Sequence, residues 1–224
     1  MTFFSRLLTI ASMILLFSIA GSSQDNGEKA HRVQITTVFG DMIVELYNDT
    51  PVHRDNFLKN ARNGWYDGTL FHRVIPGFMA QGGDPNSIGA PAEQNLGSDR
   101  CTLLPNEIRR NHFHKKGALA AARLPDGINP EKQSSGCQFF VVQGYRYNDA
   151  QLSAMETDNF QFQDIAKAYY KTEGGTAHLD MSYTIFGEVV EGIDIIDLIC
   201  AMPTSKFSKD RPNTDIVMTV KVLE

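Results

Sequence analysis

The sequence is poor in cysteine and lacks the short motifs of the commonest cofactor-dependent and nucleophilic enzymes. Its cysteines are too few and too widely separated for a zinc knuckle or a disulfide framework, and they are Cys101, Cys137 and Cys200. We expect buried apolar cysteines, with one disulfide as the open alternative. His112 and His114 have no neighbouring metal ligands and are interpreted as a surface pair on one face of a strand. The Gly-Gly-Asp turn at 82–84 lacks the dinucleotide pattern, and no G-x-S-x-G elbow is present, so no cofactor, metal or serine nucleophile is predicted.

Basic charge is scarce relative to acidic charge. The chain has 21 Lys and Arg against 26 Asp and Glu, a net charge of −5 at pH 7. Its cationic runs, at 109–110 and 115–116, are short and typical of a solvated surface, so nucleic acid is not expected as a partner. With 42% hydrophobic and 21% charged residues, the 224-residue chain matches a soluble globular protein with one core.

No apolar run is long enough for an ordinary membrane-spanning helix. The run at 7–20 follows Arg6 and is shorter than the ~20 residues that a span needs. A basic start, an apolar middle and small residues at the end are typical of a secretory signal peptide. We therefore expect a signal peptide at 1–20, a flexible tether at 21–30 and one folded domain at 31–224. This predicts an exported monomer, periplasmic or secreted, with no stable membrane insertion after signal removal.

Short strand-like segments dominate the folded part. Apolar and β-branched residues at 33–37 and 42–46, on either side of a turn at Gly40-Asp41, predict an opening β-hairpin. Further short strands, separated by Gly- and Pro-rich turns, are predicted at 70–75, 77–81, 117–122, 138–142, 184–190 and 216–222. Many short strands with few helices are typical of a β-barrel or a β-sandwich.

Two helices are predicted with clear ends. The first has Thr50 at its N-cap, Pro51 at its first position and Gly64 as its stop. Its buried face is predicted to consist of Phe57, Leu58 and Ala61. The second follows Gly192, where apolar residues recur at helical spacing: Ile195, Ile196, Ile199 and Cys200.

A polar segment at 149–171 interrupts the pattern of strands. Apolar residues recur in it at the spacing of one helix face, and two glycines follow at 174–175. That face is formed by Phe162, Ile165, Ala166 and Tyr169. We interpret the segment as a helical insertion packed against its own domain, with a partner-binding helix as the alternative.

Four blocks of the sequence carry a family resemblance. They are FHRVIPGFMAQGGD at 71–84, GALAAAR at 117–123, SGCQFF at 135–140 and FGEV at 186–189. In sequence and order they resemble the cyclophilin-type peptidyl-prolyl cis-trans isomerases, over the chain from 33 to its end apart from the insertion. The resemblance implies an eight-stranded antiparallel closed barrel capped by two α-helices, with a substrate groove on its outer face.

The resemblance also implies an activity, the isomerisation of X-Pro bonds during the folding of exported proteins, with proline-containing polypeptides as substrates. Rotation about such a bond meets a barrier of ~18–20 kcal/mol that comes from amide resonance, so neither a nucleophile nor a metal is required. An arginine that donates hydrogen bonds toward the prolyl imide nitrogen favours the twisted state. Arg73 matches the family's catalytic arginine.

Nine further residues match the family's substrate groove. The proline slot is assigned to Phe78, Met79, Phe140 and Leu179, with Tyr183 beside it. Gln81 matches the side chain that binds the substrate backbone, and Ala122 and Arg123 match main-chain contacts. Gln138 matches a groove-lining amide, with a purely structural hydrogen-bonding role as the alternative.

Several positions depart from the best-known members of the family. Tyr183 stands in place of a histidine, Arg123 in place of a common asparagine, and Cys137 in place of a frequent serine. His178 replaces a tryptophan that is important for cyclosporin binding. We expect catalysis to survive and tight cyclosporin binding to be lost. The alternative function is a non-catalytic chaperone module that binds proline peptides.

Overall fold

A computed structural model of the chain describes residues 30–98, 101–205 and 209–223. The predicted signal peptide and all but the last residue of the tether lie outside these ranges. The strands are β1 (His31–Thr37), β2 (Gly40–Leu46), β3 (Arg73–Ile75), β4 (Met79–Gly82), β5 (Leu103–Leu104), β6 (Ala118–Ala121), β7 (Ser134–Ser135), β8 (Phe139–Val142), β9 (Ile185–Glu191), β10 (Thr204–Ser205), β11 (Arg211–Pro212) and β12 (Thr219–Leu223). The helices are α1 (Pro51–Arg62), α2 (Asp149–Ser153), α3 (Asp164–Thr172) and α4 (Ile195–Cys200), with 3₁₀ turns at Pro85–Ser87 and Ala177–Leu179. No helix in the described ranges is both long and apolar enough to cross a membrane.

Eight of the strands form one curled antiparallel sheet, in the order β12-β1-β2-β9-β6-β8-β4-β3. This confirms the mainly β architecture, but the closed barrel is wrong, because the edge strands β12 and β3 do not pair with each other. Residues that precede these two strands in the chain form hydrogen bonds across the gap between the sheet edges. Phe71 N donates to Ile216 O at 2.9 Å, and Met218 N donates to Thr69 O at 2.8 Å. These bonds draw the edges together without a continuous ladder.

The opening hairpin is confirmed, with its turn two residues earlier than predicted. The last pair in the register of β1 and β2 is Thr37 opposite Gly40, which leaves Val38 and Phe39 as the turn. Gly40 has φ +126°, a conformation that glycine adopts without the steric cost of a Cβ. The glycine therefore marks the start of the second strand.

Helices α1 and α4 confirm the two predicted helices, and both bury their apolar faces in the core of the sheet. The residues predicted to be buried in α1 are buried: Phe57, Leu58 and Ala61. In α4 the apolar residues at helical spacing are also buried: Ile195, Ile196, Ile199 and Cys200. They share one core with alternate residues of the hairpin, such as Val33 and Val44. Each fully buried aliphatic side chain contributes ~1.5–3 kcal/mol of transfer free energy.

The N-terminus of α1 is capped by a residue far away in the sequence. Thr50 occupies the predicted N-cap position, but its side chain makes no capping hydrogen bond. The Glu107 carboxylate instead accepts from Val52 N at 3.1 Å and from His53 N at 2.9 Å. A negative charge on the first free N–H groups of a helix is stabilising, so Glu107 supplies the cap.

The insertion contains two short helices, α2 and α3, and its buried face differs from the prediction. Ile165 and Tyr169 are 57% and 36% exposed, so their assignment to the buried face is wrong. Phe162 and Ala166 are buried as predicted, and Tyr170 is buried in place of Ile165 and Tyr169, because α3 begins only at Asp164 and turns its i, i+4 pair Ala166 and Tyr170 inward. The buried residues pack with Phe113 and Ala177 of the domain, as predicted for an insertion folded against its own domain.

Two of the cysteines form a disulfide, which corrects the expectation of buried thiols. Cys101 and Cys137 are bonded, and pairing of β5 with β7 brings their Cα atoms within 6.0 Å. The expectation is right for Cys200, which is free and buried. Burial raises the pKa of the Cys200 thiol to about 12, so it stays protonated at neutral pH.

His112 and His114 do not form the predicted surface pair on a strand. Neither lies in a strand, His112 stacks on Tyr47, and the His114 side chain is fully buried against Asp180. The described ranges contain no group of three or more potential metal-binding side chains.

Candidate active site

Nine of the ten residues predicted for the site line one small cavity of about 100 Å³. They are Arg73, Phe78, Met79, Gln81, Ala122, Arg123, Phe140, Leu179 and Tyr183. Gln138, the tenth, lines a second cavity of about 360 Å³, which shares Gln81, Ala122 and Arg123 with the first. The two cavities therefore adjoin, and together they are called the groove below.

Strand register places the central side chains on one face of the sheet. Arg73 of β3 lies directly opposite Gln81 of β4, and Gln81 lies opposite Phe140 of β8. Met79 is two residues from Gln81 on the same strand, so its side chain points the same way. The first block (71–84) and the third block (135–140) of the sequence meet here because their strands are neighbours.

A chain of amides orients the arginine. Arg73 Nη1 donates to Gln81 Oε1 at 3.3 Å, and Gln81 Nε2 donates to Gln138 Oε1 at 2.8 Å. These bonds fix which end of the Gln81 amide faces the guanidinium. The Arg73 side chain is 39% exposed, and its Nε lies 4.0 Å from the Asp210 carboxylate. Sequence reasoning missed Asp210, which no local pattern links to β3.

Apolar side chains form the slot beside Arg73. Met79 and Phe140 are buried, and Phe78, Leu179 and Tyr183 pack against them from partly exposed positions. The Tyr183 ring meets the Phe140 ring edge-on, with centroids 5.6 Å apart. This arrangement presents a compact apolar surface beside the Arg73 side chain.

Arg123 contributes its side chain as well as its backbone. The guanidinium lies over the Tyr183 ring, 4.5 Å from the centroid, and its Nε donates to Ser182 O at 2.6 Å. Nη1 is 2.6 Å from Asp126 Oδ1, and the Arg123 side chain is only 4% exposed. The family resemblance implied only main-chain contacts for Arg123. The structure shows that two positions departing from the family pattern, Arg123 and Tyr183, contact each other.

His178 stacks on Phe78 at the rim of the slot, with ring centroids 5.7 Å apart. Burial lowers the pKa of His178 below its usual range, so its imidazole is neutral at pH 7. The rim therefore carries an uncharged ring at this position.

Comparison with known proteins agrees with this geometry. The family model described as cyclophilin-type peptidyl-prolyl cis-trans isomerase matches residues 32–222, which is most of the chain. The chain belongs to the cyclophilin family. Cyclophilins are isomerases of X-Pro bonds.

Relatives of this cyclophilin occur in Staphylococcus and Streptococcus species. A Staphylococcus saprophyticus protein named as a peptidyl-prolyl cis-trans isomerase is 34% identical over 205 residues, covering 91% of this chain and 96% of that protein. A Staphylococcus epidermidis protein of the same name is 36% identical, with 87% and 91% coverage. A Streptococcus pyogenes protein named as a bifunctional phosphatase and peptidyl-prolyl cis-trans isomerase is 34% identical, and the match covers 86% of this chain but 39% of that longer protein.

The fold of this cyclophilin also matches solved structures. A crystal structure of a Cryptosporidium parvum cyclophilin-type isomerase superposes with a TM-score of 0.62 at 23% identity, covering 88% of this chain and 99% of that one. A second structure of that protein, determined in the presence of the dipeptide Ala-Pro, has a TM-score of 0.60. At this identity the likeness establishes the cyclophilin fold.

Proposed function

We propose that this cyclophilin isomerises X-Pro bonds in exported polypeptides, with Arg73 as the catalytic donor. The observation that carries the proposal is the position of the Arg73 guanidinium, held by Gln81 at the edge of a small apolar slot.

The slot suits a single apolar ring. Its volume of about 100 Å³ is well below the roughly 300–1,000 Å³ of pockets that enclose a whole small ligand. A prolyl ring is compact and apolar, and its nitrogen carries no N–H that would need an acceptor in the slot. The Cryptosporidium parvum relative studied in the presence of Ala-Pro supports a proline-containing ligand for this groove.

Arg73 acts by binding the twisted amide more tightly than either planar isomer. In a planar amide the nitrogen lone pair is delocalised into the carbonyl, whereas twisting localises the pair on nitrogen, where it can accept a hydrogen bond. A guanidinium already aimed at that nitrogen stabilises the twisted state selectively. The bond from Gln81 to Gln138 holds the acceptor of Arg73 in place, so little reorganisation is required.

Two observations support an oxidising, extracytoplasmic compartment. The run at 7–20 has the form of a signal peptide. Cys101 and Cys137 form a disulfide, and structural disulfides persist chiefly in exported proteins. The substrates would then be polypeptides that fold after export.

The test is exchange NMR on a short Ala-Pro peptide with catalytic amounts of the protein. We expect the cis-trans exchange rate to rise in proportion to protein concentration. Peptide resonances that shift on binding without any acceleration of exchange would instead identify a non-catalytic proline-binding module. A peptide with alanine in place of proline is the matched control for binding in the slot.

A further inference from the structure

A buried tyrosine of the insertion contacts a residue that lies next to the groove in sequence. Tyr170 of α3 is 0% exposed, and its hydroxyl donates to both carboxylate oxygens of Asp180, each at 2.8 Å. Burial and the Asp180 charge raise the pKa of Tyr170 far above its usual range, so the phenol remains a hydrogen-bond donor. Asp180 directly follows Leu179, a wall of the slot.

A second element holds the same carboxylate. Asp180 Oδ1 accepts from His114 N at 2.9 Å and lies 2.8 Å from His114 Nδ1. The side chains of His114 and Asp180 are 0% and 6% exposed. A buried carboxylate depends on such donors, because losing one leaves charge without compensation. Asp180 is therefore clamped between the insertion and the segment that precedes β6.

The hydrogen bonds to Asp180, called the clamp below, stabilise a turn that contains an unfavourable backbone conformation. Leu179 ends the 3₁₀ turn Ala177–Leu179, and Ser182 N donates to Leu179 O at 3.0 Å. Between them, Met181 has φ +60°, a left-handed conformation that costs free energy for a residue with a Cβ. Such a conformation persists only where its surroundings fix it, and Asp180 is the adjacent anchor.

The His114 ring connects Asp180 to the opposite wall of the slot, which is formed by Phe140 and Tyr183. It lies parallel to the Phe140 ring with centroids 6.1 Å apart, and it meets the Tyr183 ring edge-on at 6.2 Å. The hydrogen bond to Asp180 sets the orientation of this imidazole. One carboxylate thus connects to both walls of the slot.

We infer that Tyr170 is a positioning residue for the proline slot, acting through Asp180 on Leu179 and through His114 on the rings of Phe140 and Tyr183. The inference rests on the proposed function of the slot as the proline site. It assigns the insertion a part in substrate binding, although none of its residues lines the groove.

The test compares Tyr170→Phe, which removes only the hydroxyl, with Tyr169→Phe. Tyr169 is the next residue of α3, and its ring contacts Phe113 and Lys115. We expect Tyr170→Phe to weaken binding of an Ala-Pro peptide roughly three- to tenfold, with the exchange rate at saturating peptide within about twofold of the parent. Tyr169→Phe should match the parent in both.

A double-mutant cycle separates positioning from general stability. In a Leu179→Ala background, Tyr170→Phe should weaken binding by a smaller factor than it does in the parent, because one of the two walls that it positions is gone. Undiminished loss of affinity in that background, or equal affinity of Tyr170→Phe and the parent, would overturn the inference. If Tyr170→Phe does not fold by circular dichroism, Asp180→Asn tests the same clamp by the same affinity measurement.

The same measurements on the parent protein test the proposed function independently of the role of Tyr170. A parent protein that binds the peptide without accelerating exchange refutes the proposed activity, and the affinities still decide the inference. A parent that does not bind the peptide at all refutes both.

Discussion

Replacing Arg73 tests the catalytic assignment directly. Arg73→Ala removes the donor that contacts Gln81 and borders the slot. Removing a preorganised donor aimed at a developing charge typically costs ~2.7–4 kcal/mol of transition-state stabilisation, so turnover should fall roughly 10²–10³-fold. Arg73→Lys should be nearly as impaired, because a lysine ammonium is a point charge without the planar fork of donors.

Folding and ground-state binding should change much less than turnover. The Asp210 carboxylate lies 4.0 Å from Arg73 Nε, and the Arg73 side chain is 39% exposed. Exposed ion pairs contribute ~0–1 kcal/mol, so the unfolding temperature should drop by only a few degrees. The apolar slot remains intact in the variant, so the peptide should still bind.

The assay measures exchange rate and peptide affinity on the same sample, which separates transition-state from ground-state effects. Arg32→Ala is the matched control, because Arg32 pairs with Glu45 on the hairpin and is not among the residues that line the groove. If Arg73→Ala stays folded and catalyses exchange within a few-fold of the parent, Arg73 is not the catalytic donor.

Three further predictions concern the predicted signal peptide, His178 and the disulfide. The exported protein should be soluble and begin between Gly21 and Asn26, as N-terminal sequencing would show; an intact Met1 in washed membranes would contradict this. Cyclosporin should inhibit far less well than it inhibits tryptophan-bearing cyclophilins, and His178→Trp should recover part of the inhibition, whereas equally strong inhibition of the parent would refute the role of His178. Cys101→Ser should lower the free energy of unfolding by about 3–4 kcal/mol, from the 36-residue separation that the disulfide closes; a denaturant titration that matches the parent would contradict it.

The part of the site that lies in one contiguous segment of the chain could be predicted from the sequence. Arg73, Met79 and Gln81 belong to one contiguous block that forms two paired strands, and the two-residue period of a strand places their side chains on one face. The helices were equally readable, because Pro51 and the helical spacing of isoleucines at 195–199 are local signals. Their physical basis lies within a few residues of each position.

The remaining features depended on contacts between distant segments. Glu107 caps α1, Asp210 approaches Arg73, and Tyr170 reaches Asp180 from the insertion. No local sequence pattern predicts these contacts, because each one depends on how a loop crosses the surface of the sheet.

The open sheet and the disulfide have the same origin. Local patterns predicted the strands, but whether β3 and β12 pair depends on how far the whole sheet curls. Cys101 and Cys137 gave no pairing signal, since their approach requires β5 to lie beside β7. The sequence by itself therefore determined the eight strands of the large sheet, the two core helices and the block at 71–84 that contains Arg73. Tertiary structure alone decided which distant side chains meet around them, because those contacts depend on the paths of the connecting loops.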